Sequence, residues 1–121
     1  MAPKDFLTVA DWSVEELRAI LARAGELKDL DKRGERPQTL LGRTLALYFE
    51  KPSLRTHVTF EAGMTQLGGS GILLRPEQVG MGSRETPADV ARGLSRWVDA
   101  LTCRTFSHEV VEELARHASI P

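Results

Sequence analysis

The sequence predicts an α/β domain: a parallel sheet with helices on both faces, three layers deep, forming a single domain over residues 1–121. Short apolar runs at 44–49, 72–74 and 100–103 alternate with segments of helical periodicity, and the connections between them are short. The two strongest polar clusters directly follow two of those runs, where the carboxyl ends of parallel strands gather ligands. A chain of 121 residues suffices for one core that buries roughly two thirds of its unfolded surface.

Ser13-Val-Glu-Glu16 has the spacing of a capping box, and Val14, Leu17, Leu21, Ala24 and Leu27 recur at helical intervals behind it. The stripe stops at Leu27, and Lys28 to Pro37 reads as a charged, turn-forming linker. Thr44 to Phe49 is apolar and partly aromatic, as a buried strand requires, and Pro52 marks a break before a helix from about Arg55 to Leu67. Gly68 to Gly71 ends that helix, Ile72–Leu74 supplies a second strand, and Arg75 to Arg84 is expected as an exposed loop. Thr86 and Pro87 provide an N-cap and a first-turn proline for a helix whose buried stripe is expected to be Val90, Leu94, Trp97 and Val98. Ala100–Cys103 is the third strand, and Ser107 is expected to cap a helix with Val110, Val111 and Leu114 inward. Ile120-Pro121 reads as a further strand beginning.

Composition narrows the function. A net charge of −1 with interspersed signs provides no basic footprint for nucleic acid and no polybasic patch for a membrane. The single cysteine, Cys103, allows no intrachain disulfide, which fits a reducing compartment. The polar amino terminus is unlike a secretory signal, and no run approaches the roughly 18 apolar residues of a membrane span, so a soluble cytoplasmic protein is expected. No His/Cys/Asp/Glu spacing suggests a metal, and no glycine-rich nucleotide fingerprint follows a strand, so neither metal nor nucleotide cofactor is expected.

The most informative segment is Ser53-Leu54-Arg55-Thr56, a polar turn between the first strand and its helix. Free backbone N–H groups at a helix start carry partial positive charge, and Arg55 with two flanking hydroxyls adds charge-assisted donors, so the turn suits a phosphate. Within Phe49-Glu-Lys-Pro-Ser-Leu-Arg-Thr-His-Val-Thr-Phe-Glu61 the turn resembles the carbamoyl-phosphate signature of the aspartate/ornithine carbamoyltransferases, usually Ser-Thr-Arg-Thr-Arg. Leu54 replaces the first threonine of that form and His57 its last arginine. The second cluster, Arg104-Thr-Phe-Ser-His108, resembles the ornithine branch of the family, and the resemblance assigns Arg104 to the same ligand. Gln78 to Glu85 is similar to the family's mobile loop, which implies that Gln78 and Arg84 reach a neighbouring subunit's site in a homotrimer.

The resemblance implies carbamoyl phosphate bound by Ser53, Leu54, Arg55, Thr56 and Arg104, with Arg55, Thr56 and Arg104 as the catalytic set and no cofactor. It further implies L-ornithine as acceptor, bound by a second domain that lies outside these 121 residues, so that the chain alone does not turn over. Each residue also has a plainer reading. Ser53 to Thr56 can be an ordinary helix cap, Arg104 a strand-end ion-pair partner, and Arg75 to Arg84 a solvated connector. His57 and His108 suit surface positions better than catalytic ones, and Cys103 suits an inert buried thiol. Three functions stay open at this point: half of an ornithine carbamoyltransferase; the matching half of an aspartate, N-acetylornithine or putrescine enzyme; and a non-catalytic anion-binding or assembly module.

Overall fold

A computed structural model describes residues 5–121; residues 1–4, the start of the polar amino terminus, lie outside the described residues. Strand β1 (Thr44–Phe49) is central, with β2 (Ser70–Leu74) on one side and β3 (Ala100–Arg104) on the other, both parallel to it. The order β2-β1-β3 means that the first crossover steps from the central strand to one edge and the second runs the opposite way, past β1 to the other edge. Right-handed connections then put α2 (Leu54–Gln66) on one face and α4 (Pro87–Leu94) on the other, where it packs against α5 (His108–His117).

The pleat divides the core. Leu45, Leu47 and Phe49 form the buried cluster on the α2 face, with Met64, Leu73 and Ala100 packed against it, while Ala46 and Tyr48 alternate to the opposite face. Leu47 is fully enclosed, and replacing such a side chain by alanine typically costs about 2–5 kcal/mol. The turn from α2 into β2 depends on glycine. Gly68 has φ +92°, and a Cβ on Gly69 would fall 2.7 Å from the Arg43 carbonyl oxygen.

Several expectations are corrected. The first helix, α1 (Val14–Lys32), forms its capping box as expected, with Glu16 N–H donating to Ser13 Oγ and Ser13 N–H to Glu16, but it continues five residues past Leu27. Nothing between Leu27 and Gly34 breaks a helix; charge alone does not. No residue of α1 is buried, and Leu21 is 72% exposed. Trp97 is also outside the core at 76% exposure, because α4 stops at Leu94 and the chain beyond it no longer keeps the helical phase. Arg75 to Arg84 is not uniform loop: it contains a one-turn helix, α3 (Pro76–Val79), where Arg75 N–H donates to Gln78 Oε1 and Gln78 N–H to the Arg75 carbonyl. Ser107 precedes α5 but makes no side-chain cap; instead its carbonyl accepts from the Thr105 hydroxyl at 2.7 Å. Thr86 caps α4 as expected, through Asp89 N–H. Ile120-Pro121 forms no strand, although Leu101 N–H donates to the Pro121 carbonyl at 2.9 Å along the edge of β3.

Candidate functional site

Helix α2 begins at the carboxyl end of β1, and its first turn is built to leave donors free. Ser53 is the N-cap, with His57 N–H donating to its carbonyl at 3.1 Å, yet its hydroxyl bonds to none of the first-turn amides. A serine in this position normally spends its hydroxyl on those amides. Here both the hydroxyl and the amides remain available to an incoming anion, reinforced by the partial positive charge of the helix terminus. The Leu54 side chain is 77% exposed, so this residue can serve a ligand only through its backbone.

Among the described residues Arg55 has no ion pair or side-chain hydrogen bond, and the same holds for Arg104. Register brings Arg104 toward the α2 face. It is the parallel partner of Phe49, so the two share a side of the sheet, and Phe49 packs edge-on against His57 in the first turns of α2, with ring centroids 6.4 Å apart. Loops join the two clusters as well. Glu50 N–H donates to the Arg104 carbonyl at 2.8 Å, Phe106 N–H donates to Glu50 Oε1 at 3.3 Å, and Lys51 Nζ lies 4.9 Å from the centre of the Phe106 ring.

A cleft of about 450 Å³ opens between the β1–α2 turn and the β2–α3 connection, with Ser53, Leu54, His57 and Arg75 among its walls. Arg55, Thr56 and Arg104 lie outside those walls, so the chain brings the expected anion residues to one end of the sheet without enclosing them in one pocket. His57 faces the Glu61 carboxylate one turn along α2. His108 faces Glu112 at 3.8 Å on exposed helix surface. Gln78 and Arg84 are engaged locally: Gln78 closes the α3 turn, and the Arg84 guanidinium donates to the carbonyls of Glu77 and Gln78 at 2.9 and 3.2 Å. The Cys103 thiol is pushed up to about 12 by burial first and by the Glu50 carboxylate second, which keeps it protonated and inert.

Glu50, Lys51 and Phe106 carry no signal in the sequence that joins them. Their partners are some 55 residues apart in the chain, and only the adjacency of β1 and β3 unites them. Among the described residues no group of three or more His, Cys, Asp or Glu is placed to hold a metal ion, and no helix is long and apolar enough to cross a membrane.

The model of the aspartate/ornithine carbamoyltransferase carbamoyl-P binding domain matches residues 4–121. An ornithine carbamoyltransferase of Anoxybacillus flavithermus is 55% identical over 118 residues, covering 98% of this chain and 38% of that protein. The solved ornithine carbamoyltransferase of Pyrococcus furiosus superposes with a TM-score of 0.96 at 42% identity over 99% of this chain and 38% of its own. An N-acetyl-L-ornithine transcarbamylase solved with carbamyl phosphate and N-succinyl-L-norvaline gives 0.86 at 33% identity over 98% of this chain and 41% of its own. The chain thus spans about two fifths of the length of these relatives. With its sheet order, its open helix-terminal donors and its two arginine clusters at one end, the chain belongs to the aspartate/ornithine carbamoyltransferase family and corresponds to its carbamoyl-phosphate-binding domain.

Proposed function

We propose that this chain supplies the carbamoyl-phosphate half of an ornithine carbamoyltransferase, which passes the carbamoyl group to the side-chain amine of L-ornithine and yields citrulline and phosphate in arginine biosynthesis. The observation that carries the reading is the capping serine whose hydroxyl is not spent on its helix, followed by Arg55, which has no side-chain partner among the described residues, at the start of α2. In this reading Ser53, the Leu54 backbone, Arg55 and Thr56 hold the phosphate, and Arg55, Thr56 and Arg104 meet the negative charge that builds on the carbonyl oxygen as the amine attacks. No protein nucleophile and no cofactor take part. Each preorganised donor aimed at that charge is worth about 3 kcal/mol of barrier.

Ornithine is held by a second domain, so residues 1–121 bind the first substrate without turnover. The working enzyme is a cytoplasmic homotrimer, independent of nucleic acid and membrane, in which Gln78 and Arg84 serve a neighbouring subunit's site. For that, Arg84 gives up its two hydrogen bonds to the α3 carbonyls. Calorimetric titration with carbamoyl phosphate tests the reading: saturable binding that Arg55→Ala weakens at least tenfold is expected, since a charge-assisted hydrogen bond contributes about 1.5–3 kcal/mol. Unchanged binding in that variant refutes it. The likeness to the N-acetyl-L-ornithine transcarbamylase favours a second reading, with an acylated acceptor, and assaying the full-length enzyme with ornithine and N-acetylornithine separates the two.

A further inference from the structure

We infer that Glu50 is the positioning residue that fixes Arg104 against the Ser53–Thr56 turn, so that the two halves of the anion site are set by one residue, through its backbone and its side chain. The inference rests on the reading of that turn as the carbamoyl-phosphate site. Glu50 stands between the end of β1 and the turn, and it touches the Arg104 segment twice. Its N–H donates to the Arg104 carbonyl at 2.8 Å, extending the β1–β3 ladder by one residue. Its carboxylate accepts Phe106 N–H at 3.3 Å, on the far side of the Arg104–Thr105 peptides. The chain just after Arg104 is therefore held at two points by the residue three positions before Ser53, while the β1–β3 ladder holds the chain before it.

The neighbouring contacts point the same way. Lys51 lies over the Phe106 ring at 4.9 Å, and the Thr105 hydroxyl donates to the Ser107 carbonyl, which together brace the β3–α5 connection. Glu50 also opposes ionisation of Tyr48 and Cys103, so its carboxylate bears on β1 and β3. The cation it positions has no partner of its own among the described residues. A free arginine on an unbraced strand end would sample many placements, and the ligand would have to order it on binding. Bracing the backbone from the Arg104 carbonyl to Phe106 removes part of that cost before the ligand arrives.

The test is a double-mutant cycle on this chain, with carbamoyl phosphate as the titrant and amide hydrogen exchange as a second readout. Glu50→Ala is expected to weaken binding about tenfold, whereas Glu50→Gln, which keeps an acceptor for Phe106 N–H, binds as the parent does or tighter. In an Arg104→Ala background Glu50→Ala should cost less than about twofold, because the residue it positions is gone. Phe106 N–H should exchange faster in Glu50→Ala and not in Glu50→Gln. Full additivity of the two substitutions, or equal weakening by alanine and glutamine, overturns the inference. So does unchanged exchange at Phe106, which is read without ligand. Failure of the parent chain to bind carbamoyl phosphate would instead sink the reading of the site, and the exchange result would then decide on the brace alone.

Discussion

The two ends of the sheet treat their charges in opposite ways. At the amino end Arg43 donates to Asp99 at 2.9 Å, Thr44 N–H donates to the other oxygen of the same carboxylate at 2.9 Å, and Asp99 N–H returns a bond to the Thr44 carbonyl. At the carboxyl end Arg55 and Arg104 have no side-chain partner among the described residues, and the hydroxyl of Ser53 is not spent on its helix. A cation matched within the chain fastens one element to another. An unmatched pair of cations beside a helix amino terminus is an arrangement completed by an anion. Structural charge and binding charge thus sit at opposite ends of a single small sheet.

Removing one cation from each end should have opposite effects. Arg104→Ala should raise the dissociation constant for carbamoyl phosphate by about ten- to a hundredfold, the loss expected for a charge-assisted hydrogen bond, with the thermal midpoint unmoved. Arg43→Ala should do the reverse. Its exposed pair contributes modestly to stability, so the midpoint falls slightly while affinity stays within about twofold. Calorimetry and thermal denaturation on the same preparations read both. Equal loss of affinity in the two variants would erase the distinction between the ends.

How far these features are legible without the structure differs by residue. Thr44–Phe49 reads directly as a strand because a buried central strand must be apolar on both faces, and the break at Pro52 locates the turn that follows. The N-caps at Ser13 and Thr86 are local and were readable for the same reason. What escaped is either a matter of phase or of distance along the chain. Trp97 fits the stripe of α4 only if the helix continues past Leu94, and it does not. The continuation of α1 through Lys32 was hidden by charged residues that favour solvent without opposing a helix. Glu50 and Phe106 are joined by strand adjacency alone, and the open hydroxyl of Ser53 looks from sequence like any other cap.

A smaller effect sharpens the amino end. The Asp99 carboxyl is held below its ordinary range, by Thr44 N–H first and by Arg43 second. A carboxylate whose folded value is depressed adds stability that is present above its unfolded value and lost as pH falls through the folded one. Denaturation of the parent chain at stepped acidic pH should include that loss. In Asp99→Asn the midpoint starts lower at neutral pH, and this part of the acid dependence is missing. Identical acid limbs in the two proteins would mean that the Arg43–Asp99–Thr44 arrangement fastens nothing.

The smallest expected effect lies at the carboxyl end, where Cys103 reports on Glu50. The thiol is pushed up to about 12, with burial the larger cause and the Glu50 carboxylate the smaller. At pH 8 roughly one thiol in ten thousand is then ionised, so alkylation by iodoacetamide should be far slower than that of a free cysteine. Glu50→Gln removes the charge and leaves the burial, because the side chain keeps its volume. The alkylation rate should rise by a small factor, about two- to fivefold, and remain well below that of a free cysteine. A rate that reaches the free-thiol value would mean that the substitution has opened the β1–β3 junction, and that glutamine does not keep the brace which the exchange of Phe106 N–H is used to detect. A rate that does not move would mean that burial alone holds the Cys103 thiol up.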